Sequence, residues 1–281
     1  MPERKFAVIG HPIGHTMSPF IHKRLFELAD KDGEYITMDI SPEDLENKME
    51  ELDKLSGYNI TIPNKQKIIP FLDNLDKKAR LYGSVNTVSN CGSRVGYTTD
   101  PDGFLKALES AGIPFSGNVC IAGCGGAART FIYEAALAGC NITIAVRPES
   151  TAKRDRLIEE VRDKTGAENI RGCLLGELGD ENGGGLFVNG TPVGMFPDVE
   201  KTPVPVSVIK KYEYVFDAVY NPLETRLICE AKANGANALG GMSMLVWQAV
   251  VAHEIWDGSR YDIEDINKLI NESAEELKKN F

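Results

Sequence analysis

The sequence predicts an α/β protein built as two units, and three observations predict it. Strand-like and helix-like segments alternate through the first hundred residues, a glycine-rich turn joins a strand to a helix near residue 123, and two helical patterns fill the tail. Alternation of that kind indicates helices layered on a mainly parallel sheet. A chain of 281 residues suffices for one large domain or two ordinary ones.

The elements follow in order. KFAVIG, ending at Gly10, reads as a strand, and SPFIHKRLFELA as a helix with Ser18 as N-cap and Pro19 at its first position. EYITMDI is the next strand, and SPEDLENKMEEL a helix with the same Ser-Pro start. In GYNITI, Tyr58, Ile60 and Ile62 alternate with Asn59 and Thr61, which gives a strand one apolar and one polar face. Pro63 has no N–H and ends that strand, and Lys65 lies just beyond. GSVNTV and SRVGYTT form two short strands around a turn at Ser89 to Gly92. TTDPDGFLKALESAGI opens a helix with Asp100 as N-cap, Pro101 as first residue and Gly112 just past its end.

The second unit starts near Asn118 with the strand NVCIAG, the glycine turn and a helix ending at Gly139, then the strand NITIAVR. RDRLIEEVRDKTG is a charged amphipathic helix, and Glu181 to Gly185 a flexible loop. LFVNGT and YVFDAVY are strands, TRLICEAKANG a helix and ANAL a short strand. MLVWQAVVAHEIWDG is mostly apolar and reads as a buried helix. The last helix places Ile263, Ile266, Ile270 and Leu277 on one face.

Composition narrows the function. A net charge of −10 argues against broad binding to nucleic acid or to an anionic membrane, both of which need a positive surface. No apolar run approaches the roughly 20 residues of a membrane helix, and the charged start runs straight into a strand without a signal-peptide core. The six cysteines have neither zinc-site nor disulfide-framework spacing, so a reducing cytoplasm is expected. His11 and His15 are separated by Pro12 and Gly14, which break the helix a metal pair would need, and no metal is expected.

GCGGAA, Gly123 to Ala128, fits G-x-G-x-x-A between a strand and a helix. Gly123 permits the tight turn, Gly125 lets backbone approach a pyrophosphate, and Ala128 allows close helix packing at a terminus that stabilises phosphate charge. After the next strand come Arg147, Pro148, Glu149, Lys153 and Arg154. Arg147 with Lys153 or Arg154 suits the 2′-phosphate of NADP, whereas Glu149 would suit the ribose hydroxyl of NAD. NADP is the expected cofactor, with NAD possible through Glu149. Lys153 and Arg154 equally fit a solvated helix start.

Several separated segments resemble the shikimate dehydrogenase family, including its quinate/shikimate branch, across essentially the whole chain. GHPIGHTMSPFIH looks like that family's G-x-P-I-x-H-S-x-S-P-x-x-H, and GYNITIPNKQ its G-x-N-V-T-x-P-x-K. GSVNTV, GYTTDPDG and GGMSMLVWQA are similar to G-A-V-N-T, G-x-N-T-D-x-x-G and G-x-x-M-L-x-x-Q-A. NGTPVGM and DAVYNPLETRL resemble its strands on the nicotinamide side.

The resemblance implies reversible, NADP-linked reduction of 3-dehydroshikimate to shikimate in aromatic amino acid biosynthesis. It implies a substrate domain of residues 1–102 plus 241–281, to which the C-terminal helices return, and a Rossmann-like nucleotide domain of residues 103–240. Carried over, Lys65 and Asp100 are the catalytic pair: hydride addition leaves an alkoxide that a proton donor must neutralise. Asn59, Thr61, Asn86 and Gln248 would hold ring hydroxyls, Thr16 and Ser18 the carboxylate, and Tyr220 the substrate side near the nicotinamide. Gly123, Gly125, Gly126, Ala127, Arg147, Lys153, Asn189, Thr191 and Gly241 would hold the cofactor. Ser18 also fits a plain N-cap, and Tyr220 a core tyrosine.

The chain departs from the family pattern at Thr16, usually serine, at Thr98, usually asparagine, and at Val146-Arg147-Pro148, usually Asn-Arg-Thr. These changes bear on substrate and cofactor choice. The competing readings are an NAD-linked catabolic quinate/shikimate dehydrogenase and a non-catalytic metabolite and nucleotide sensor. Retention of Lys65 and Asp100, and the lack of a basic arm, argue against the sensor. A small-molecule substrate and a monomer or homodimer are expected, with no nucleic-acid or membrane partner.

Overall fold

The computed structural model describes residues 4–14, 16–179 and 183–280. His15 and part of the 181–185 loop therefore lie outside the described residues. The chain divides into two compact units, Met1–Gly103 with Val246–Phe281, and Phe104–Leu245.

The first unit contains β1 (Lys5–Gly10), α1 (Ser18–Leu28), β2 (Glu34–Asp39), α2 (Leu45–Leu52), β3 (Gly57–Ile60), β4 (Asn74–Leu75), α3 (Lys77–Tyr82), β5 (Thr87–Ser89) and β6 (Val95–Tyr97). Helix α4 (Asp100–Ser110) spans the boundary at Gly103. The strands form one sheet in the order β2-β1-β3-β5-β6-β4. β1 pairs parallel with β2 and β3, β4 is parallel to β6, and β5 runs antiparallel to both neighbours. All of β1 beyond Lys5 is buried, the continuous apolar run of a strand covered on both faces.

Several helix and strand ends differ from the sequence reading. Ser18 is the first residue of α1 and Met17 its cap. α2 begins at Leu45 rather than at the Ser-Pro pair, because Ser41 Oγ accepts from the Asp44 N–H in a turn ahead of the helix. Asp100 is the first residue of α4, and the Thr99 carbonyl accepts the first helical bond from Gly103. β3 stops at Ile60, and Ile62 is 74 % exposed rather than continuing the apolar face. The chain has already left the sheet there, although the Thr61 N–H still bonds the Ile9 carbonyl at 2.8 Å.

The second unit contains β7 (Asn118–Ala122), α5 (Gly126–Leu137), β8 (Asn141–Val146), α6 (Thr151–Thr165), β9 (Ile170–Leu174), β10 (Leu186–Asn189), α7 (Val206–Ile209), β11 (Tyr214–Asp217), α8 (Arg226–Ala233) and β12 (Asn237–Gly240). All six strands are parallel, in the order β12-β11-β10-β7-β8-β9. Counted along the unit this is 3-2-1-4-5-6, the doubly wound dinucleotide order, with its switch point between β7 and β10.

Helix α9 (Met242–Asp257) crosses the second boundary, and α10 (Ile263–Asn280) belongs to the first unit. Trp256 of α9 donates to the Val88 carbonyl at 2.9 Å, and a Cβ at Gly57 would lie 2.3 Å from its ring nitrogen. Only glycine lets the indole lie against β3. The buried stripe of α10 is Ile266, Leu269, Ser273 and Leu277, whereas Ile263 is exposed in the first turn. The i, i+3, i+4 spacing is as expected, but the packed face starts one turn later than the sequence reading places it.

Candidate functional site

Lys65 is held by its own backbone. After β3 the chain turns through residues 61–65, and the fully buried Asn64 donates to the Ile40 carbonyl at 2.7 Å. The Lys65 carbonyl accepts from the Val85 N–H at 2.8 Å. Its Nζ meets Asp100 Oδ2 at 2.6 Å, with side-chain exposures of 27 % and 17 %. The pair is thus neither fully desolvated nor free in water, and a ligand can still reach the ammonium.

Asn86 fixes Asp100 from the other side. The Thr99 N–H donates to Asn86 Oδ1 at 2.7 Å, which settles which end of the amide faces inward. Its Nδ2 then donates to Asp100 Oδ1 at 2.8 Å and to Thr99 Oγ1 at 3.0 Å. Asp100 therefore accepts from Lys65 on one oxygen and from Asn86 on the other, a charge-assisted arrangement that fixes the carboxylate plane. Gln248 lies at the edge of this group, its Oε1 3.4 Å from both Asn86 Nδ2 and Thr99 Oγ1.

The other substrate-side residues join the same network to different degrees. Asn59 receives the Tyr35 hydroxyl at 2.7 Å on Oδ1 and donates from Nδ2 to Thr87 Oγ1 at 3.0 Å and the Asn86 carbonyl at 3.3 Å. Both amide hydrogens are engaged, so Asn59 has only a lone pair to offer a ring hydroxyl. Thr16 Oγ1 donates to Ser18 Oγ at 3.1 Å and accepts the Ser18 N–H at 3.2 Å. Thr61 places its methyl against Gly10, where a Cβ would lie 2.5 Å away. Tyr220 lies in the second unit, half-buried, and burial raises its hydroxyl pKa.

Tyr35, Asn64, Thr87 and Thr99 were missed by the sequence reading. The last three stand inside or beside the quoted motifs, so position was their only signal. Tyr35 had a signal of another kind, an aromatic ring with a polar tip on the strand beside β1.

In the second unit the chain turns out of β7 at Gly123, whose φ is +102°. A Cβ there would also lie 2.8 Å from the Thr191 methyl. Gly125 caps α5 and has open space around it. Ala128 is fully buried, and a Cβ on Gly190 would lie 2.7 Å from it, so helix and strand end meet through two small residues. A cavity of about 430 Å³ opens here, lined by Gly123, Gly125, Arg147, Ser150, Lys153 and Thr191 among others. Open backbone at a helix N-terminus with two cations in the wall fits a dinucleotide phosphate.

Five cofactor-side candidates lie outside the lining of this cavity. Gly126 and Ala127 are exposed on the first turn of α5 and do not line the cavity. Asn189 is fully buried; its Oδ1 accepts from the Thr191 N–H and hydroxyl, and its Nδ2 donates to Asp217 at 2.9 Å, so its amide is engaged in holding the loop that carries Thr191. Gly241 packs on the Ala218 carbonyl, where a Cβ would be 2.3 Å away. Arg154 donates to the Cys173 carbonyl at 2.9 Å and pairs with Asp155, which takes it from the suggested phosphate cluster. Arg147 pairs with Glu149 at 3.1 Å, both largely exposed.

Among the described residues no group of three His, Cys, Asp or Glu is placed to hold a metal, and no helix is long and apolar enough to cross a membrane. The model of the shikimate dehydrogenase substrate binding domain matches residues 8–88, the stretch that carries Lys65 and Asn86. The shikimate dehydrogenase (NADP(+)) of Moorella thermoacetica is 34 % identical over 278 residues, covering 95 % of this chain and 92 % of its own. The structure is similar to shikimate 5-dehydrogenase from Thermus thermophilus in complex with NADP(H) and shikimate (TM-score 0.85, 32 % identity, 96 % and 99 % of the two chains). It is also similar to quinate dehydrogenase from Corynebacterium glutamicum in complex with NAD (TM-score 0.84, 26 % identity, 96 % and 99 %). With that likeness running through both units and nearly end to end, the chain belongs to the shikimate dehydrogenase family.

Proposed function

We propose that the protein is an NADP-dependent shikimate dehydrogenase that reversibly reduces 3-dehydroshikimate to shikimate, in the cytoplasm, as a monomer or homodimer. The first unit takes the substrate and the second the nucleotide. The Lys65–Asp100 contact at 2.6 Å carries the reading. A bound nicotinamide supplies or accepts hydride. As a ketone oxygen becomes an alkoxide, Lys65 donates a hydrogen bond and then a proton to it. Asp100, held by Asn86, keeps the ammonium aimed and accepts from a neighbouring ring hydroxyl. Gln248 holds a further hydroxyl, and Thr16 and Ser18 the carboxylate. Gly123, Gly125 and the N-terminus of α5 hold the pyrophosphate, and Arg147 with Lys153 the 2′-phosphate.

A second reading, an NAD-linked enzyme acting on quinate, draws on the Arg147–Glu149 pair. Initial rates with shikimate and quinate, each against NADP and NAD, test both. Activity mainly with shikimate and NADP supports the first. Activity mainly with NAD or quinate supports the second. Folded protein inactive with all four combinations overturns both.

A further inference from the structure

Asn189 ends β10 and Asp217 ends β11, opposite each other in the parallel register, at the strand ends where a doubly wound sheet takes its ligand. Both are fully buried. The Thr191 N–H can only donate, so the Asn189 atom that meets it at 3.0 Å is Oδ1, and Nδ2 faces the other way. Oδ1 also accepts the Thr191 hydroxyl at 2.7 Å, and Thr191 Oγ1 in turn accepts the Val193 N–H at 3.2 Å. Nδ2 donates to the Val193 carbonyl at 3.3 Å and to Asp217 Oδ1 at 2.9 Å. One amide therefore closes the turn that carries Gly190, Thr191, Pro192 and Val193, which together form one wall of the cavity at Gly123. Asp217 anchors that amide and more besides. Its Oδ1 also accepts the Val219 N–H at 3.0 Å, and its Oδ2 accepts the Thr225 hydroxyl at 2.6 Å. Thr225 caps α8, its Oγ1 accepting the Ile228 N–H at 3.3 Å.

We propose that Asp217 is a positioning residue for the nucleotide, holding the 190–193 wall of the cavity in its binding shape through the Asn189 amide. This rests on the proposed reading in which that cavity takes the dinucleotide. The three groups that meet the carboxylate are all donors, so its ionised form satisfies each of them. An apolar side chain at 217 leaves a buried Asn189 N–H without its acceptor. To regain one the amide must move, and Thr191 and Val193 are bonded to it. The two oxygens serve different ends: Oδ1 holds the wall and Oδ2 the cap of α8. An amide at 217 separates these duties. Its oxygen can stay on the Asn189 and Val219 N–H groups while its NH2 faces Thr225, whose hydroxyl can turn and accept.

The test measures NADP affinity by calorimetry on the full chain, beside thermal unfolding of the same proteins. Asp217→Leu and Asn189→Ala each weaken NADP about tenfold, and the double variant binds no more weakly than Asn189→Ala alone, because both cut one chain of bonds. Asp217→Asn keeps the acceptor for Asn189 and binds NADP within about twofold of the wild type. Thr225→Val cuts only the Oδ2 arm, so it lowers the unfolding temperature and leaves NADP affinity unchanged. Wild-type affinity in Asp217→Leu overturns the proposal. So does a loss that persists in full in the Asn189→Ala background, or an equal loss in Thr225→Val or Asp217→Asn, any of which leaves Asp217 a structural acid. Where Asp217→Leu does not fold, wild-type affinity in Asn189→Ala, or a loss in Thr225→Val equal to that in Asn189→Ala, overturns it instead. Folded wild-type protein that binds neither NADP nor NAD overturns the nucleotide reading itself, and the proposal with it.

Discussion

Around Lys65 and Asp100 the contacts that define the site are made by side chains, and around Gly123 and Gly125 the site is shaped by their absence. In the first unit Asn86, Asn59, Thr87 and Thr99 each bond two or more partners within one buried group. In the second unit Gly123, Ala128 and Gly190 matter because a larger group would not fit. A site of the first kind fails when a donor or acceptor is removed, and one of the second kind fails when an atom is added. The two units therefore call for opposite perturbations.

The largest effect is expected at Lys65. Lys65→Ala removes the proton donor and lowers turnover by about 10²- to 10⁴-fold, the usual range for a general acid. Its ion pair is part-exposed, so the fold survives. Steady-state rates beside an NADP binding isotherm check this. Undiminished turnover would remove Lys65 from the chemistry.

Next come a deletion in the first unit and an addition in the second. Asn86→Ala leaves the fully buried Thr99 N–H without its acceptor and Asp100 without one of its donors. A cost of about 1–3 kcal/mol in urea unfolding is expected, together with a loss of turnover. Gly190→Ala brings a Cβ within 2.7 Å of the Ala128 backbone, where no flexible side chain can give way. A similar loss of about 1–3 kcal/mol is expected, with weaker NADP binding and unchanged shikimate binding. If Gly190→Ala weakened shikimate and spared NADP, the division of labour between the units would be wrong.

The units also differ in their response to acid. Burial pushes His253 down to about 3, with Asp257 opposing and Arg4 and Lys31 assisting, and burial and His253 together lower His22. Both stay neutral in the fold while the unfolded chain protonates near pH 6.5. Their contribution is whole above that pH and is lost as pH falls toward about 3, with His253 alone costing about 2 kcal/mol by pH 5. In the second unit burial holds the Asp217 carboxyl up at about 6 despite bonds from Thr225, Val219 and Asn189. There the folded state binds the extra proton, so stability rises as pH falls from about 6 toward the ordinary carboxylate range. Amide exchange at pH 7 and pH 5 should show protection falling in β1 and β3 and holding in β7 and β10. Equal loss in both sheets would break the contrast.

The same distinction governs what could be read from the sequence. The nucleotide sheet was legible because a tight turn and a close helix–strand approach admit few residues, so Gly123, Gly125 and Ala128 announce their geometry. Lys65 and Asp100 were legible only through motif resemblance, since they are 35 residues apart and nothing local brings them together. Tyr35 stayed hidden because its hydrogen-bond partner, Asn59, and the ring it stacks on, His22, come from other elements. At Asn189 and Gly241 a motif marks a residue as required without saying whether it touches or supports, and the structure shows each packed or bonded to protein. β9 was missed because IRGCL is short and lacks alternation.

The smallest effect bears on the one place in the second unit where side chains decide. Arg147 faces Glu149 at 3.1 Å, both more than half exposed, so the pair is weakly held and a ligand can displace it. A 2′-phosphate brought to Arg147 must replace Glu149 as its partner and then lie beside that carboxylate. Glu149→Gln removes the competitor and the repulsion together, while leaving an amide that still bonds a ribose hydroxyl. Binding of 2′,5′-ADP should tighten by about two- to fivefold, with a steeper salt dependence, while 5′-AMP changes little. Tightening of both ligands alike would mean that Glu149 acts on the shared phosphate and not on cofactor choice. Weaker 5′-AMP binding with 2′,5′-ADP unchanged would assign Glu149 to the ribose and favour NAD as the working cofactor.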